Sequence, residues 1–502
     1  MLSSMLPKGV TYVLIYTTLL FFLVIGLYAG KKSRNDLNLF IKSIYTQGLL
    51  SLSLNFVAAS SGASLFVSLP QIGTIAGVFG VLVFSFACAI PIIVFGFIGP
   101  IFRKHNSYNW SMSSFITERF GLYLNIMYCL ICIFFMLLYM VGEVATLYSS
   151  LELLTNINPL PPTIVLCAVT TIYSAFGGVL ASLFTDAVQI AFLLFLITTA
   201  LIAIGINVKI PDGAIEKVGL LTPNKLGYQL IYILPVALIT STMFHQGFWQ
   251  RAFASKNTNV LRKSSYIGAC LVFIVFATVG MMGPIAAWSG IWVSEIHGSD
   301  AYPLFLILAT MPKWIIALIL IIITSLSCAA MDTLICSITG NIYDLFNQKI
   351  NFISIRIVIL VLIIPVVVLA TKSPDILKLY LLADLLAAAT VIPMLFGLLA
   401  PFNKLTQIDV IIGGVSGLLS IGVFGSIYLG NLRDGWNLLL LPDGLYSTDE
   451  RVLGVFLVSP ISSVLFTFIS FGVRSLYYRF KGKKMPEYAK IHISDPIQNV
   501  KI

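Results

Sequence analysis

The sequence predicts an all-α polytopic membrane protein with about 13 transmembrane helices. Three observations predict it. Of the residues, 58% are hydrophobic and 10% charged, the mean hydropathy is +0.98, and apolar runs of spanning length recur along nearly all 502 residues. A bilayer core about 30 Å thick needs about 20 apolar residues per helix, and no soluble core hides so much apolar surface. The short polar loops between runs argue for a single membrane domain over 1–478, with a short basic tail at 479–502.

Spans are expected to begin near residues 10, 48, 77, 122, 160, 181, 228, 263, 313, 352, 376, 408 and 452. The first, 10–30, is too long for a signal-peptide apolar region and no small-residue cleavage motif follows it, so it reads as a retained helix. With the N-terminus outside, the inner loops hold Lys31, Lys32, Arg34 and Lys42, then Arg103, Lys104 and Arg119, then Arg251, Lys256, Arg262 and Lys263, then Lys349 and Arg356. The tail bases Arg479, Lys481, Lys483 and Lys484 are then inside too, while Glu295, Asp300, Asp443 and Glu450 fall outside. The positive-inside rule therefore places the N-terminus outside and the C-terminus in the cytoplasm, most simply in the plasma membrane. It also accounts for the net charge of +10 without a nucleic-acid partner. The seven cysteines all fall in apolar segments without metal-site spacing and read as small core residues. Asn109-Trp-Ser111 matches a glycosylation acceptor but lies in an inner loop, and reads as chance.

Two spans are interrupted. The second carries Asn55-Phe-Val-Ala-Ala-Ser60-Ser61-Gly62-Ala63-Ser64 and then Pro70, small and hydroxyl residues where a lipid-facing helix would carry Leu and Ile. Five spans later the seventh reads Thr240-Ser-Thr-Met-Phe-His245-Gln246-Gly-Phe-Trp249. Unwound turns are tolerated at membrane depth only where they line a cavity. A pair at corresponding positions is what an inverted-repeat secondary transporter needs, because broken helices offer carbonyls and dipole ends to an ion and a solute. Packing through small residues is the alternative for either segment alone. No phosphate-binding loop suggests ATP-driven transport, and no polar stretch holds nucleophile, base and orienting group together, so no enzyme is expected.

Four motifs then carry a family resemblance. Tyr173-Ser-Ala-Phe-Gly177-Gly178-Val-Leu-Ala-Ser-Leu-Phe-Thr185-Asp186-Ala-Val-Gln189 resembles a GG-L-x-A-x-x-x-TD-x-x-Q signature, and Gln246-Gly-Phe-Trp249-Gln250-Arg251-Ala-Phe-Ala-Ser-Lys256 a Q-x-x-WQR-x-x-A-x-K element. Ala58 to Ala63 with Leu69-Pro70 resembles a first broken helix, and Ser325 to Asp344 an ion-site helix. In this order they resemble the sodium:solute symporter family, whose members include proline, sugar, pantothenate and urea carriers; the wording around Gln246 is closest to its urea, polyamine and fungal-type members. The resemblance implies the five-plus-five inverted-repeat (LeuT-type) fold. Repeat one would cover about 48–208 and repeat two about 228–400, with peripheral helices at 10–30, 408–429 and 452–477.

The resemblance also implies a coupling cation, Na+ or H+, held between carbonyls of Ala58 and Ser61 and two adjacent hydroxyls on the ion-site helix. Here those hydroxyl positions fall on Cys328 and Ala329, or on Ala329 and Ala330 after a shift of one residue. A hard cation wants oxygen, and neither alignment supplies it. The helix offers instead Asp332, with Thr333 beside it and Ser325 about two turns earlier, and the preceding repeat offers Asp186. Intramembrane carboxylates are by default functional, and two close together favour proton capture. Capping or pairing with a neighbouring polar group is the plainer role for each. Glu143 has no partner in sequence and reads as a helix-interface hydrogen bond; Asp384 reads as lining an outer cavity.

For a small polar solute such as urea, a polyamine or an amino acid, the expected binding residues are Ser60, Ser64, His245 and Gln246, with Ser61 beside them and Phe66, Phe244 and Trp249 as apolar walls. His245 reads equally well as a core histidine. Trp249 and Arg251 are expected to end the seventh span as interfacial anchor and topogenic charge. The function expected is a cation-coupled symporter importing the solute by alternating access. The alternative is a non-transporting nutrient sensor on the same fold, which loss of the hydroxyl pair would permit. No cofactor other than the coupling ion is expected.

Overall fold

A computed structural model describes residues 6–31, 40, 43, 45–105, 111–298, 302–346, 349–372, 375–446 and 449–483. Among the sequence expectations, Lys32, Arg34, Lys42, Asn109, Asp300 and the tail from Lys484 lie outside the described residues. Among the described residues there are helices and two isolated bridges but no strand.

The first helix, α1 (Lys8–Gly30), buries Thr11, Ile15, Leu19, Phe22, Gly26 and Gly30, a stripe at three- and four-residue spacing. Its other faces expose Val13, Leu20, Phe21 and Val24, apolar residues that suit lipid. A Cβ at Gly30 would sit 2.7 Å from Gly177 Cα, so the small residues permit backbone contact with the helix carrying Tyr173.

The first broken span is α2 (Leu49–Ser60) and the start of α3 (Leu65–His105), separated by an unwound turn at Ser61 and Gly62. Helix α3 has 41 residues and turns sharply at Gly77, whose φ is +67°. Val78 N–H there donates to Leu220 O at 2.9 Å, and a side chain at Gly77 would collide with that carbonyl. A short α4 (Met112–Arg119) leads into α5 (Leu122–Leu154). Helix α6 (Leu160–Asn207) has 48 residues and bends at Gly178, φ +59°. The second broken span is α7 (Lys225–Thr242) and α8 (Gln246–Ala254), at 66° to each other. Then come α9 (Thr258–Gly280), α10 (Lys313–Leu345), α11 (Phe352–Ala370), α12 (Ile376–Leu395), α13 (Gln407–Leu429) and α14 (Arg451–Phe480).

Among the described residues ten helices are long and apolar enough to cross a membrane, eleven if α7 and α8 make one span. The expected count of about thirteen is not reached on that measure. At 1.5 Å per residue, α3 and α6 are about 60–70 Å long, twice a bilayer core; each bends at its glycine where the sequence analysis placed a loop between two spans.

Helix α10 packs against α5 and α6, and α9 and α7 against α3. Helices α13 and α14 form a separate pair, in which a side chain on Gly413 or Gly417 would overlap Ser463 or Thr467. The two broken spans are tied at one end: Gln47 N–H donates to Ala254 O at 2.9 Å and Lys256 N–H to Gln47 O at 3.0 Å. Arg103 joins there, donating to Phe253 O at 3.0 Å and Ser255 O at 2.5 Å.

Several loop bases are therefore not simple topogenic charges. Arg103 is buried against carbonyls at the end of α8, and Arg119 donates to the carbonyls of Gly397, Phe402 and Leu405. Orphan carbonyls at helix ends need donors, and a guanidinium has several. Lys256, Arg262, Lys263 and Lys349 are exposed. All seven cysteines are free; five are buried and Cys88 half-buried, but Cys270 is exposed, so the core assignment fails for it.

Candidate functional site

Between the two broken spans lies a cavity lined by both polar and aromatic side chains. One wall is the unwound turn, Ser60 to Ser64; the opposite wall carries Thr242, His245 and Phe248; Ala330 and Thr333 come from α10. Phe135, Tyr139 and Glu143 from α5 and Tyr380 from α12 complete it.

The turn is unwound because a side chain replaces its helical hydrogen bonds. Glu143 Oε2 accepts from Ala63 N–H at 2.7 Å, and Oε1 from Ser64 Oγ at 2.6 Å and from Tyr380 OH at 3.2 Å. A carboxylate is favoured there by the N-terminal dipole of α3. Gly62 makes the approach possible, since a Cβ at that position would overlap Glu143 Oε1. The second break is closed similarly: His245 caps α8, its Nδ1 accepting from Gly247 N–H at 3.2 Å. With Nδ1 an acceptor, a neutral ring carries its proton on Nε2.

Below the breaks is a fully buried polar cluster. Arg251 Nη2 pairs with Asp186 Oδ2 at 2.5 Å, both side chains within 1% of complete burial. Its other donors reach Asn55 O at 2.7 Å, Gly247 O at 2.9 Å and Thr333 Oγ1 at 3.0 Å, so one guanidinium joins α2, α6, α8 and α10. Asp332 accepts from Tyr173 OH and Ser182 Oγ, each at 2.7 Å, and from Thr185 Oγ1 and Thr333 Oγ1, each at 3.3 Å. Thr333 Oγ1 also lies 3.4 Å from Asp186 Oδ2 and so bridges the two carboxylates. Two carboxylates against one guanidinium leave one formal negative charge, ringed by hydroxyl oxygens.

The sequence-predicted residues separate into groups. Ala58, Ser60, Ser61, Ser64 and His245 line the cavity, and Asp186 and Asp332 lie on either side of Thr333 Oγ1. Gln246 is buried outside the cavity lining, its Oε1 without a partner; it occupies the first turn of α8, behind the His245 cap. Phe66, Phe244 and Trp249 do not line the cavity; Phe84, Phe135, Tyr139, Phe248 and Tyr380 do. Trp249 is no interfacial anchor: it is fully buried, donates from Nε1 to Met243 O at 2.9 Å, and meets Phe95 and Phe102 edge-on. Arg251 is no topogenic charge, being the buried partner of Asp186. Ser325 is buried with a free Oγ, Ala329 is buried, and Cys328 Sγ lies 3.5 Å from Tyr173 OH. Glu143 does more than join two helices, since it forms the turn and the cavity wall. Tyr139 and Tyr380 are not among the sequence-predicted residues; the only signal is a tyrosine four residues before two of the four intramembrane acids, Tyr139 before Glu143 and Tyr380 before Asp384.

A bundle with two broken spans meeting at a central cavity defines an integral membrane transporter of the LeuT type. The resemblance to solved structures agrees. A Na+-coupled sialic acid symporter in a substrate-bound, outward-open state superposes with a TM-score of 0.67 at 17% identity, covering 91% of this chain and 98% of that one. A nucleobase-cation-symport-1 family transporter, closed with bromovinylhydantoin bound, gives 0.60 at 12% identity, covering 90% and 97%. These likenesses show the fold. The sodium:solute symporter family pattern matches residues 47–417, and a spermidine transporter of Candida albicans is 38% identical over 471 residues, 92% of this chain and 89% of the relative. The chain belongs to the sodium:solute symporter family, with a fungal-type relative as the wording around Gln246 suggested.

Proposed function

We propose that the protein is a cation-coupled symporter that imports an aliphatic polyamine of the spermidine type by alternating access. The observation that carries this reading is the Glu143 carboxylate in the cavity wall. Its partners are hydroxyls and a backbone N–H, and among the described residues no lysine or arginine pairs with it. A buried carboxylate without a cationic partner is unfavourable, and an ammonium ligand relieves that cost. The spermidine-transporting relative supports the same solute class. A neutral amide or polyol would leave the charge uncompensated.

The coupling cation is assigned to Asp332 and its hydroxyls, with Ser182, Thr185 and Thr333 supplying the oxygens that Cys328 and Ala329 lack. Hydroxyl oxygens accept as well as donate, so the same shell suits a hard cation or a proton. The repeats are assigned to about 48–208 and 228–400. The plasma membrane, with the N-terminus outside and the basic tail in the cytoplasm, is the location proposed with this function.

The test is counterflow of labelled spermidine in proteoliposomes, against urea, proline, sugars and short acids, then uptake under imposed Na+ and pH gradients separately. Concentrative spermidine uptake driven by one gradient is expected. Solute binding with no accumulation under either gradient would refute symport and indicate a sensor instead.

A further inference from the structure

A reciprocal arrangement stands at the cavity wall, with Tyr139, Glu143 and Tyr380 lining the cavity and Asp384 behind them. Tyr139 and Glu143 are four residues apart on α5; Tyr380 and Asp384 are four residues apart on α12. Each tyrosine donates to the other helix's acid: Tyr139 OH to Asp384 Oδ1 at 3.3 Å, Tyr380 OH to Glu143 Oε1 at 3.2 Å. The two rings stack, centroids 4.2 Å apart and planes 18° from parallel. Because the earlier residue of one helix meets the later residue of the other, the helices run antiparallel here. The two acids then sit on opposite helices and at opposite ends of the stack, displaced by four residues, about 6 Å, along the axis.

Both acids are buried, each 3% exposed. The buried carboxylates Asp186 and Asp409 have Arg251 and Arg474; Asp332 has only hydroxyl donors but lies outside the cavity lining, in the cluster that holds Arg251; Glu143 and Asp384 have only neutral donors, Asp384 bonding Ser241 besides Tyr139. The wall therefore offers Glu143 directly and, beyond the stacked rings, the Tyr139 hydroxyl with Asp384 behind it. An ammonium is attracted by both a carboxylate and a ring face, while methylenes gain from apolar contact with the rings.

We propose that the crossed pairs Tyr139–Asp384 and Tyr380–Glu143 are a two-point recognition site for a polyamine, one ammonium at Glu143, the other at the Tyr139 hydroxyl backed by Asp384, and the methylene chain along the cavity edge of the stacked rings. This rests on the transporter reading above and goes beyond it by naming the determinants of selectivity. Because each ammonium enters a bridge between α5 and α12, the occupied site joins two helices that the sequence analysis assigned to opposite repeats. A monoamine satisfies one end only.

The test uses purified full-length protein and labelled spermidine. In the unaltered chain, competition by α,ω-diamines should rise with methylene number to an optimum. The diamine should exceed the monoamine of equal length by about 10- to 100-fold, as charge-assisted hydrogen bonds imply. The neutral N,N′-diacetyl diamine should not compete. Glu143→Gln and Asp384→Asn should each weaken spermidine binding by a similar factor and abolish most of the preference for diamine over monoamine. Equal competition by the diacetyl compound, or spermidine affinity and diamine preference unchanged in both variants, overturns the site. Should the variants fail to fold, the unaltered chain's competition series decides alone. Gradient-driven uptake of a neutral solute with no amine competition would sink this site while leaving symport intact. Amine binding with the expected selectivity but no transport would sink symport while leaving the site.

Discussion

Removing the Arg251 guanidinium tests the buried ion pair. Arg251→Met keeps an unbranched apolar stem but deletes every donor to Asn55 O, Gly247 O, Asp186 and Thr333. Asp186, fully buried, would face Asp332 across Thr333 with no cation nearby. Breaking one side of a buried pair costs about 3–5 kcal/mol, mostly the stranded charge. Asp186→Asn strands Arg251 instead and falls in the same range of about 3–5 kcal/mol. The double variant strands neither member of the pair, and Asp332 keeps its own hydroxyl donors; the loss is of neutral acceptors' partners, at about 1 kcal/mol for each of two or three bonds. The double variant should therefore be more stable than either single one, with a coupling of several kcal/mol instead of additivity. Thermal unfolding of the four proteins in one detergent, followed by loss of the monodisperse chromatographic peak, gives the order directly. Arg251→Met unfolding at the temperature of the unaltered protein would refute the reasoning, as would a double variant less stable than both singles.

Two further outcomes follow from the same geometry. Asp332→Asn should abolish concentrative uptake while spermidine binding stays measurable, because it removes the negative charge that the hydroxyl shell surrounds but no cavity-lining group; unchanged accumulation in proteoliposomes would reject Asp332 as the cation residue. Gly62→Ala should weaken spermidine binding at least about 10-fold, since its methyl would overlap Glu143 Oε1 and displace a charged hydrogen bond worth about 1.5–3 kcal/mol. Equilibrium binding measures this, and an unaltered affinity would show that Glu143 does not depend on the turn.

The resemblance of this chain to its family was legible in short motifs, yet the roles inside those motifs were not. Trp249-Gln250-Arg251 looks from sequence like the end of a span, because aromatic and basic residues commonly mark membrane interfaces. In the fold, α8 departs from α7 at 66° and carries the same three residues into the core. The hydroxyls missing at Cys328 and Ala329 were likewise visible as an absence. The hydroxyls that Ser182 and Thr185 place around Asp332 were not, for they lie about 150 positions away, at separations of 150 and 147.

The sequence by itself determined the properties that depend on local composition: the membrane class, both broken spans, and the four intramembrane carboxylates Glu143, Asp186, Asp332 and Asp384. Hydropathy and small-residue content act within one helix and can be read there. Only the tertiary structure decided the partners. Arg251 meets Asp186 across 65 residues, Tyr380 meets Glu143 across 237, and Tyr139 meets Asp384 across 245. Which face of a helix turns toward which neighbour is set by packing of the whole bundle. In this protein that packing determines which buried acids pair with arginine and which meet only neutral donors.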